Sequence, residues 1–434
     1  MKKKGIIAMF LTLGMLFSAC GGNQAEVADG TEFVPMEDAS QQNGEGTNQE
    51  TLPGGKVELK VWGAEEDQAL LAEMVESFKQ EYAGAADFEI TLEVQGESDS
   101  RDKLLGNLDN AADVFAFADD QLMSMVAAGV LEPISNADEI ASRNVEGAVA
   151  AATVNDKLYA YPMTADNGYF LYYNKAYFSD EDIKTLDGIL AVAAANGKKF
   201  SMEMTSGWYL YSFFGQTGLT VGLNDDGISN YCTWNATDGK IKGVDVAQAL
   251  LDICANPGFA NNVDGDFVEG VKDGSIIAGV SGVWNSTTIE EVWGENYGAT
   301  KLPTYTCAGQ QIQMSSFTGY KMIGANAYSK YPEWASKLAD WITNEQNQTL
   351  RFQERGQGPS NIKAAENPEV AKSLAIQAVL KQAEYGNLQR IGGSYWMPVC
   401  EFATEMVNGN PSGKELQAQL DNMVDEITAS NSLK

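Results

Sequence analysis

The chain has 434 residues, too many for one compact hydrophobic core and a suitable number for two lobes. It carries 29 Lys and Arg against 60 Asp and Glu, a formal net charge of −31. Because nucleic-acid binding depends on Lys and Arg contacts to phosphates, this charge argues against a nucleic-acid partner. The absence of histidine excludes Ser-His-Asp triads, Cys-His pairs and His-ligated zinc within the chain, but leaves glycoside hydrolysis by two carboxylates open.

The N-terminal segment has the pattern of an export signal. Residues 2–4 are lysines, and residues 5–17 form an apolar run that is too short to span a bilayer as a folded helix. Small residues and then Cys20 follow, in an order that resembles a bacterial lipobox. We therefore expect residues 1–20 to be a lipoprotein signal peptide that ends at the lipid-bearing Cys20. Ordinary cleavage that leaves Cys20 free is the alternative.

The next segment, residues 21–55, is rich in Gly, Asn, Gln, Glu and Asp, and Phe33 is its only aromatic residue. Such a composition buries too little apolar surface to become ordered. We expect it to be a flexible tether that holds a folded body off the membrane.

The body begins with alternating strands and helices. Apolar residues alternate over residues 57–61 and 88–94, a continuous apolar run follows Asp113 and extends to residue 117, and helical spacing appears between these segments. The order predicts an α/β fold with an open parallel sheet. Ligands of such sheets bind beyond the carboxyl ends of the strands, where the sequence places Trp62, Glu97 and Asp120.

Aromatic residues follow glycine turns at three places later in the chain. Most aromatic residues of a globular protein belong to its core, but loops on a rigid scaffold are where binding residues concentrate. These turns therefore supply candidate ligand-binding residues, namely Trp208, Tyr209, Trp284, Tyr395 and Trp396.

No pattern indicates a cofactor or a metal ion. The chain has neither a P-loop nor a GxGxxG sequence, and residues 224–227 and 264–266 lack the spacing of an EF-hand, so we expect turns there rather than calcium sites. Whether Cys232 and Cys254 form a disulfide is open. The expected role of the four cysteines of the body is that of buried small hydrophobic residues: Cys232, Cys254, Cys307 and Cys400.

Several segments resemble, in their order and spacing, the motifs of ABC-importer solute-binding proteins of the maltose/maltodextrin-binding class. The resemblance covers nearly all of residues 56–434. The segments that carry it are residues 56–63, 113–121, 128–134, 157–163, 172–175, 272–284 and 297–303.

The resemblance implies a two-lobed periplasmic-binding-protein-like fold, with hinge crossings and a ligand cleft between the lobes. The N-terminal lobe would comprise residues 56–164 and 321–363. The C-terminal lobe would comprise residues 165–320 and 364–434.

The same resemblance implies roles for single residues. Asp120 matches a carboxylate that binds sugar hydroxyls, although helix capping is an equal alternative, and Phe117 takes the place of a family Trp. Asp166 matches a second carboxylate, with Asn167 as the near alternative. Gln121 replaces a family arginine. The full set of expected ligand-binding residues is Trp62, Phe117, Asp120, Asp166, Asn167, Trp208, Tyr209, Trp284, Tyr395 and Trp396.

The expected function is capture of an oligosaccharide, with a maltooligosaccharide or maltodextrin as the best candidate, and delivery to the membrane subunits of an ABC importer. We expect a monomer anchored by Cys20 to the extracellular side of the cell membrane, with no cofactor and no enzymatic activity. Three alternatives remain: a different sugar, a cationic solute such as a polyamine, or a surface glycosidase.

Overall fold

The computed structural model describes residues 54–224 and 226–429. The predicted signal peptide, Cys20 and almost all of the predicted tether lie outside the described residues. In the described ranges, no helix combines the length and the apolar character that a membrane span requires.

The first part of the chain forms the predicted alternation of strands and helices. The alternating residues Val57, Leu59 and Val61 point into the core, and the apolar face of the first helix buries Leu70 and Met74. The elements are β1 (Lys56–Gly63), α1 (Gln68–Glu81), β2 (Asp87–Val94), α2 (Ser100–Gly106), β3 (Val114–Ala118), α3 (Leu122–Ala127), α4 (Ala137–Ser142), α5 (Glu146–Ala151), β4 (Thr153–Val154), β5 (Lys157–Leu158) and β6 (Tyr161–Asn174).

A second run of elements follows β6, and its helices begin at recognisable caps. The Ser206 hydroxyl accepts the Trp208 N–H at the start of α7, one of several side-chain N-caps. The elements are α6 (Leu186–Ala195), β7 (Lys199–Ser201), α7 (Gly207–Phe214), β8 (Val221–Leu223), β9 (Asn230–Cys232), α8 (Gly243–Cys254), β10 (Phe259–Ala260), α9 (Asp264–Lys272), β11 (Ile276–Gly282), α10 (Ser286–Trp293), β12 (Tyr297–Thr300), β13 (Thr304–Cys307), β14 (Gln310–Gln313) and β15 (Ser316–Ala325).

Helices dominate the last part of the chain. In α11 one apolar face buries Trp334, Leu338 and Ile342, as its spacing predicts. The elements are α11 (Pro332–Ile342), α12 (Glu345–Arg355), α13 (Ile362–Ala365), α14 (Pro368–Lys372), α15 (Leu374–Ala383), β16 (Gly386–Leu388), α16 (Trp396–Val407) and α17 (Leu416–Thr428).

One curled sheet runs through the body in the order β10-β7-β11-β6-β15-β3-β1-β2, with β12 also paired to β6 and β16 to β15. β1 lies parallel to both β2 and β3, as predicted. The sheet as a whole is mixed, because β15 is antiparallel to β3 and to β6. The sequence order of the first strands does not reveal this late insertion of β15.

The buried apolar residues fall into separate cores on the two sides of the β6–β15 pair. One core uses residues 57–163 and 322–342, and two others use residues 169–317 and 370–427. The fold is the expected two-lobed α/β fold. The predicted lobe boundaries at residues 164, 320 and 363 remain a prediction.

The chain passes between these cores at three neighbouring places. β6 and β15 pair over residues 161–168 and 318–323, and Thr164 bridges to Pro359 on the third crossing. The Gly358 N–H donates to Oδ2 of Asp166, which ties the third crossing to β6. The hinge is therefore held by backbone pairing and by one buried carboxylate.

The four cysteines of the body are free thiols, so Cys232 and Cys254 do not form a disulfide. Cys307 is buried, as expected, whereas Cys232, Cys254 and Cys400 are half-buried. The predicted turn at residues 264–266 is wrong, because Asp264 begins α9.

Candidate ligand-binding cleft

A cavity of about 840 Å³ opens between elements of the two sides of the molecule. One wall comes from the ends of β1, β2 and β3, and the other from α7, β11 and α16. Six of the ten expected ligand-binding residues line it: Asp120, Asn167, Trp208, Tyr209, Trp284 and Trp396.

Three indoles lie along one wall of this cavity. Trp208 is the second residue of α7, Trp284 lies two residues beyond the end of β11, and Trp396 is the first residue of α16. The ring centroids of Trp208 and Trp284 are 5.8 Å apart with planes tilted by 33°. A Cβ on Gly282 would overlap the Trp284 ring, so glycine is needed for the indole to lie against the end of its own strand.

Hydrogen bonds at the indole nitrogens fix two of these rings. Nε1 of Trp208 donates to Oε1 of Gln389 over 3.0 Å, and Nε1 of Trp284 donates to Oδ2 of Asp264 over 2.9 Å. The second oxygen of Asp264 accepts from Ser281 Oγ at 2.8 Å and from Asn285 Nδ2 at 2.9 Å. Asp264 is thus oriented by three donors, and it holds Trp284 in one position.

Two adjacent carboxyl groups, those of Asp119 and Asp120, directly follow β3. Asp120 lines the cavity, while Asp119 is buried behind it and accepts the Tyr320 N–H at 3.3 Å. Among the described residues, Oδ2 of Asp119 and Oδ1 of Asp120 have no hydrogen-bond partner. Burial raises the pKa of Asp119 to about 8, and the charge of Asp120 adds to the shift. Burial also raises the pKa of Asp120 to about 7, against the opposing charge of Arg101.

The cavity carries far more acid than base. Eight Asp and Glu residues line it, against the two cations Arg101 and Lys321. Nε of Arg101 pairs with Asp102 over 2.7 Å, and Nζ of Lys321 lies 3.3 Å from Oε1 of Glu97. Flat aromatic faces beside many hydrogen-bond acceptors can bind a ligand that has apolar faces and many hydroxyl donors.

A protein family described as bacterial extracellular solute-binding protein matches residues 73–378 of this chain. The chain belongs to that family. The family description places such proteins outside the cell.

Two curated proteins of Bacillus subtilis (strain 168) are similar to this solute-binding protein. The galactooligosaccharide-binding protein is 25% identical over 382 residues, which cover 82% of this chain and 86% of that protein. The maltodextrin-binding protein MdxE is 27% identical over 298 residues, 64% of this chain and 68% of that protein.

Solved structures share the fold. A structure determined with acarbose is 30% identical, with a TM-score of 0.75 over 86% of this chain and 99% of that one. The maltodextrin-binding protein MalE1 from L. casei BL23, solved without ligand, is 24% identical, with a TM-score of 0.70 over 86% of this chain and 100% of that one. These matches agree with the two-lobed fold of the solute-binding protein.

The structure places four expected ligand-binding residues away from the cavity of this solute-binding protein. Phe117 is 0% exposed and Trp62 is 3% exposed, and both belong to the core beneath β1 and β3. Trp62 Nε1 donates to Oε2 of Glu93 over 2.9 Å. Asp166 is held at the hinge by Gly358, and the buried Tyr395 donates its hydroxyl to the Gly207 carbonyl over 2.8 Å.

Other residues of the cavity were not among the expected ligand contacts, chiefly Asp264, Gln389, Lys321 and Glu203. The indoles were predicted because each is an aromatic residue that follows a glycine turn. None of these four residues is aromatic, so that pattern could not identify them. Gln121, expected in the place of a family arginine, lines the cavity but also holds the loop after β2. Its side chain donates to the Glu97 carbonyl at 2.6 Å and accepts the Arg101 N–H at 2.9 Å.

Proposed function

We propose that this solute-binding protein captures an oligosaccharide, with a maltooligosaccharide as the first candidate. The observation that carries the proposal is the presence of Trp208, Trp284 and Trp396 around one acid-lined cavity. A pyranose ring has apolar faces that an indole covers and a rim of hydroxyl groups that pair with carboxylates and amides. Bonds from hydroxyls to Asp are charge-assisted and therefore stronger than neutral ones.

The names of the relatives support an oligosaccharide ligand. One relative is called galactooligosaccharide-binding and another maltodextrin-binding, and one similar structure was determined with acarbose. A galactooligosaccharide is accordingly the second candidate for this chain.

Capture would work by closing the two lobes on the hinge. Closure removes water from the hydrogen bonds and traps the ligand, and the ligand shifts the population toward the closed form. We propose that the closed form is delivered to an ABC importer. Cys20 would carry the lipid that keeps the protein at the outer face of the membrane.

Calorimetry with maltotriose tests the ligand. We expect micromolar or tighter binding, and at least tenfold weaker binding for Trp284→Ala, because a ring-stacking surface is lost. Tyr328→Ala removes an exposed aromatic ring outside the cavity and serves as the matched control. Equal affinities of the wild type and Trp284→Ala for every oligosaccharide bound would contradict the proposal.

A galactooligosaccharide and spermidine in the same calorimetric series separate the alternatives. Binding of a cation weakens steeply with salt because charge pairs are screened, whereas binding of a neutral sugar hardly changes. Chromatography of each sugar after overnight incubation tests the glycosidase alternative, for which turnover would be required.

Cell fractionation tests the anchor. The wild type should stay with the membrane, and Cys20→Ser should be released, because the acyl chains have no other attachment. Cys254→Ser is the control that changes a cysteine of the folded body. Membrane retention of a Cys20→Ser protein from which residues 1–19 have been removed would contradict lipidation at this residue.

A further inference from the structure

A lysine lines the cleft from the middle of a strand that is paired on both of its edges. Lys321 belongs to β15, which pairs with β3 on one side and with β6 on the other. Lysine is almost never buried unless its charge is paired. The side chain of Lys321 is nonetheless only 12% exposed, and it lines the cavity.

Two groups from opposite sides of the cleft contact this ammonium group. Nζ of Lys321 lies 3.3 Å from Oε1 of Glu97, which follows β2. It also lies 5.4 Å from the ring centroid of Trp284, which follows β11. The second distance is within the range of a cation–π interaction. The place beside the Trp284 ring that would attract a cationic ligand is therefore taken by the protein's own cation.

The charge of Lys321 is maintained in spite of its burial. Burial by itself lowers the pKa of Lys321, but the charges of Glu97, Asp67 and Asp166 outweigh it and raise the pKa. Lys321 is therefore protonated at neutral pH. An ammonium group has three N–H donors. Among the described residues, Glu97 is the one hydrogen-bond acceptor of Nζ, so donors remain for the contents of the cavity.

We propose that Lys321 is a specificity-determining residue, whose ammonium group donates a hydrogen bond to an oxygen of a neutral sugar and repels ligands that carry an amine. The need for such a residue follows from the eight acidic residues of the lining, which by themselves would attract cations. The sugar-binding half of this inference rests on the proposed function. The other half, the exclusion of cations by Lys321, does not rest on the proposed function.

Calorimetry with maltotriose and spermidine on Lys321→Met and Lys321→Arg tests the proposal. Lys321→Met should weaken maltotriose binding at least tenfold, the size expected for a lost charge-assisted hydrogen bond. It should also strengthen spermidine binding about fivefold or more. Lys321→Arg keeps the charge and should retain more of the maltotriose affinity and the exclusion of spermidine.

Two further variants separate this role from a structural one. Lys301 also lies over an aromatic ring, 5.0 Å from the Tyr385 centroid, but outside the cavity lining, so Lys301→Met should leave both affinities unchanged. Lys321→Met alone leaves the carboxylate of Glu97 without its partner. The double variant Glu97→Gln with Lys321→Met removes that carboxylate as well and should still bind maltotriose weakly. Wild-type maltotriose affinity in either variant that lacks Lys321 would overturn the hydrogen-bond role, even if the melting temperature falls.

Failure of the proposed function would be visible separately, as absence of oligosaccharide binding by the wild type. The spermidine comparison would then still decide on Lys321. If Lys321→Met binds spermidine no better than the wild type does, the exclusion of cations by Lys321 is overturned.

Discussion

The rings of Tyr395 and Trp396 meet edge to face, with centroids 5.0 Å apart and planes at 85°, yet only Trp396 lines the cleft. Tyr395 is buried, and its hydroxyl donates to the Gly207 carbonyl. Tyr395 and Trp396 therefore have different roles at the start of α16. Tyr395 attaches this helix to α7, and Trp396 faces the cavity.

This difference predicts that substitution of Trp396 affects ligand affinity, whereas substitution of Tyr395 affects stability. Trp396→Ala should weaken oligosaccharide binding about tenfold or more, because a large stacking surface is lost. Tyr395→Phe should leave affinity unchanged and lower the free energy of unfolding by about 1–3 kcal/mol, because the Gly207 carbonyl loses its buried partner. Calorimetry and denaturant unfolding measure the two quantities. A loss of affinity in Tyr395→Phe as large as in Trp396→Ala would contradict this difference.

The position of Trp284 predicts an effect for Asp264. Asp264→Ala removes the acceptor of the Trp284 N–H and frees the indole, so maltotriose affinity should fall about tenfold. Asp264→Asn keeps one acceptor oxygen, so its maltotriose affinity should lie between those of the wild type and Asp264→Ala. Tryptophan fluorescence of the ligand-free protein should change in Asp264→Ala. Asp266→Ala changes the same turn of α9 outside the cavity lining, and unchanged affinity is expected there.

Local patterns were enough to predict the first strands and the indoles of the cleft. The alternation in β1 reflects one buried face, and burial of one face fixes the register of a strand. The glycine before Trp284 is a local signal too, because only a residue without Cβ lets the ring lie against its own strand. Such signals need no knowledge of the rest of the chain.

The other contacts of the cavity depend on long-range packing, which local sequence patterns do not predict. Lys321 meets Glu97 across 224 positions, and Trp208 meets Gln389 across 181, so no window of sequence contains either pair. The choice between Tyr395 and Trp396 was equally hidden, because both rings follow the same glycine turn. Phe117 matched a family position, but the continuous apolar run that predicted β3 equally indicates burial on both faces.

Asp166 provides a test of the hinge. The Asp166 carboxylate accepts the Gly358 N–H and does not line the cavity. We therefore expect Asp166→Ala to lower the melting temperature, because the buried Gly358 N–H loses its acceptor. Oligosaccharide affinity should fall much less than in Trp284→Ala. A loss of affinity without any loss of stability would instead favour the ligand contact that the sequence resemblance implies.

Asp119 predicts how stability depends on pH. Its pKa is raised to about 8 in the folded protein, against 3.8 as the ordinary value, because burial disfavours its charge and Asp120 adds to the effect. Between about pH 4 and pH 8 the unfolded chain has released this proton, while the folded protein keeps it. The folded state therefore binds more protons, and linkage requires its stability to fall as pH rises through this window.

Replacing Asp119 by Asn isolates this contribution, because the amide has the same shape and does not ionise. Melting temperatures measured from pH 4.5 to pH 8.5 should fall more steeply for the wild type than for Asp119→Asn, with the largest difference at the alkaline end. Asp138→Asn removes one exposed carboxylate and so controls for the change in net charge. Because general repulsion in a chain of net charge −31 also grows with pH, only the difference between the two variants measures Asp119. Parallel curves for Asp119→Asn and Asp138→Asn would mean that Asp119 ionises in the folded protein as it does in the unfolded chain.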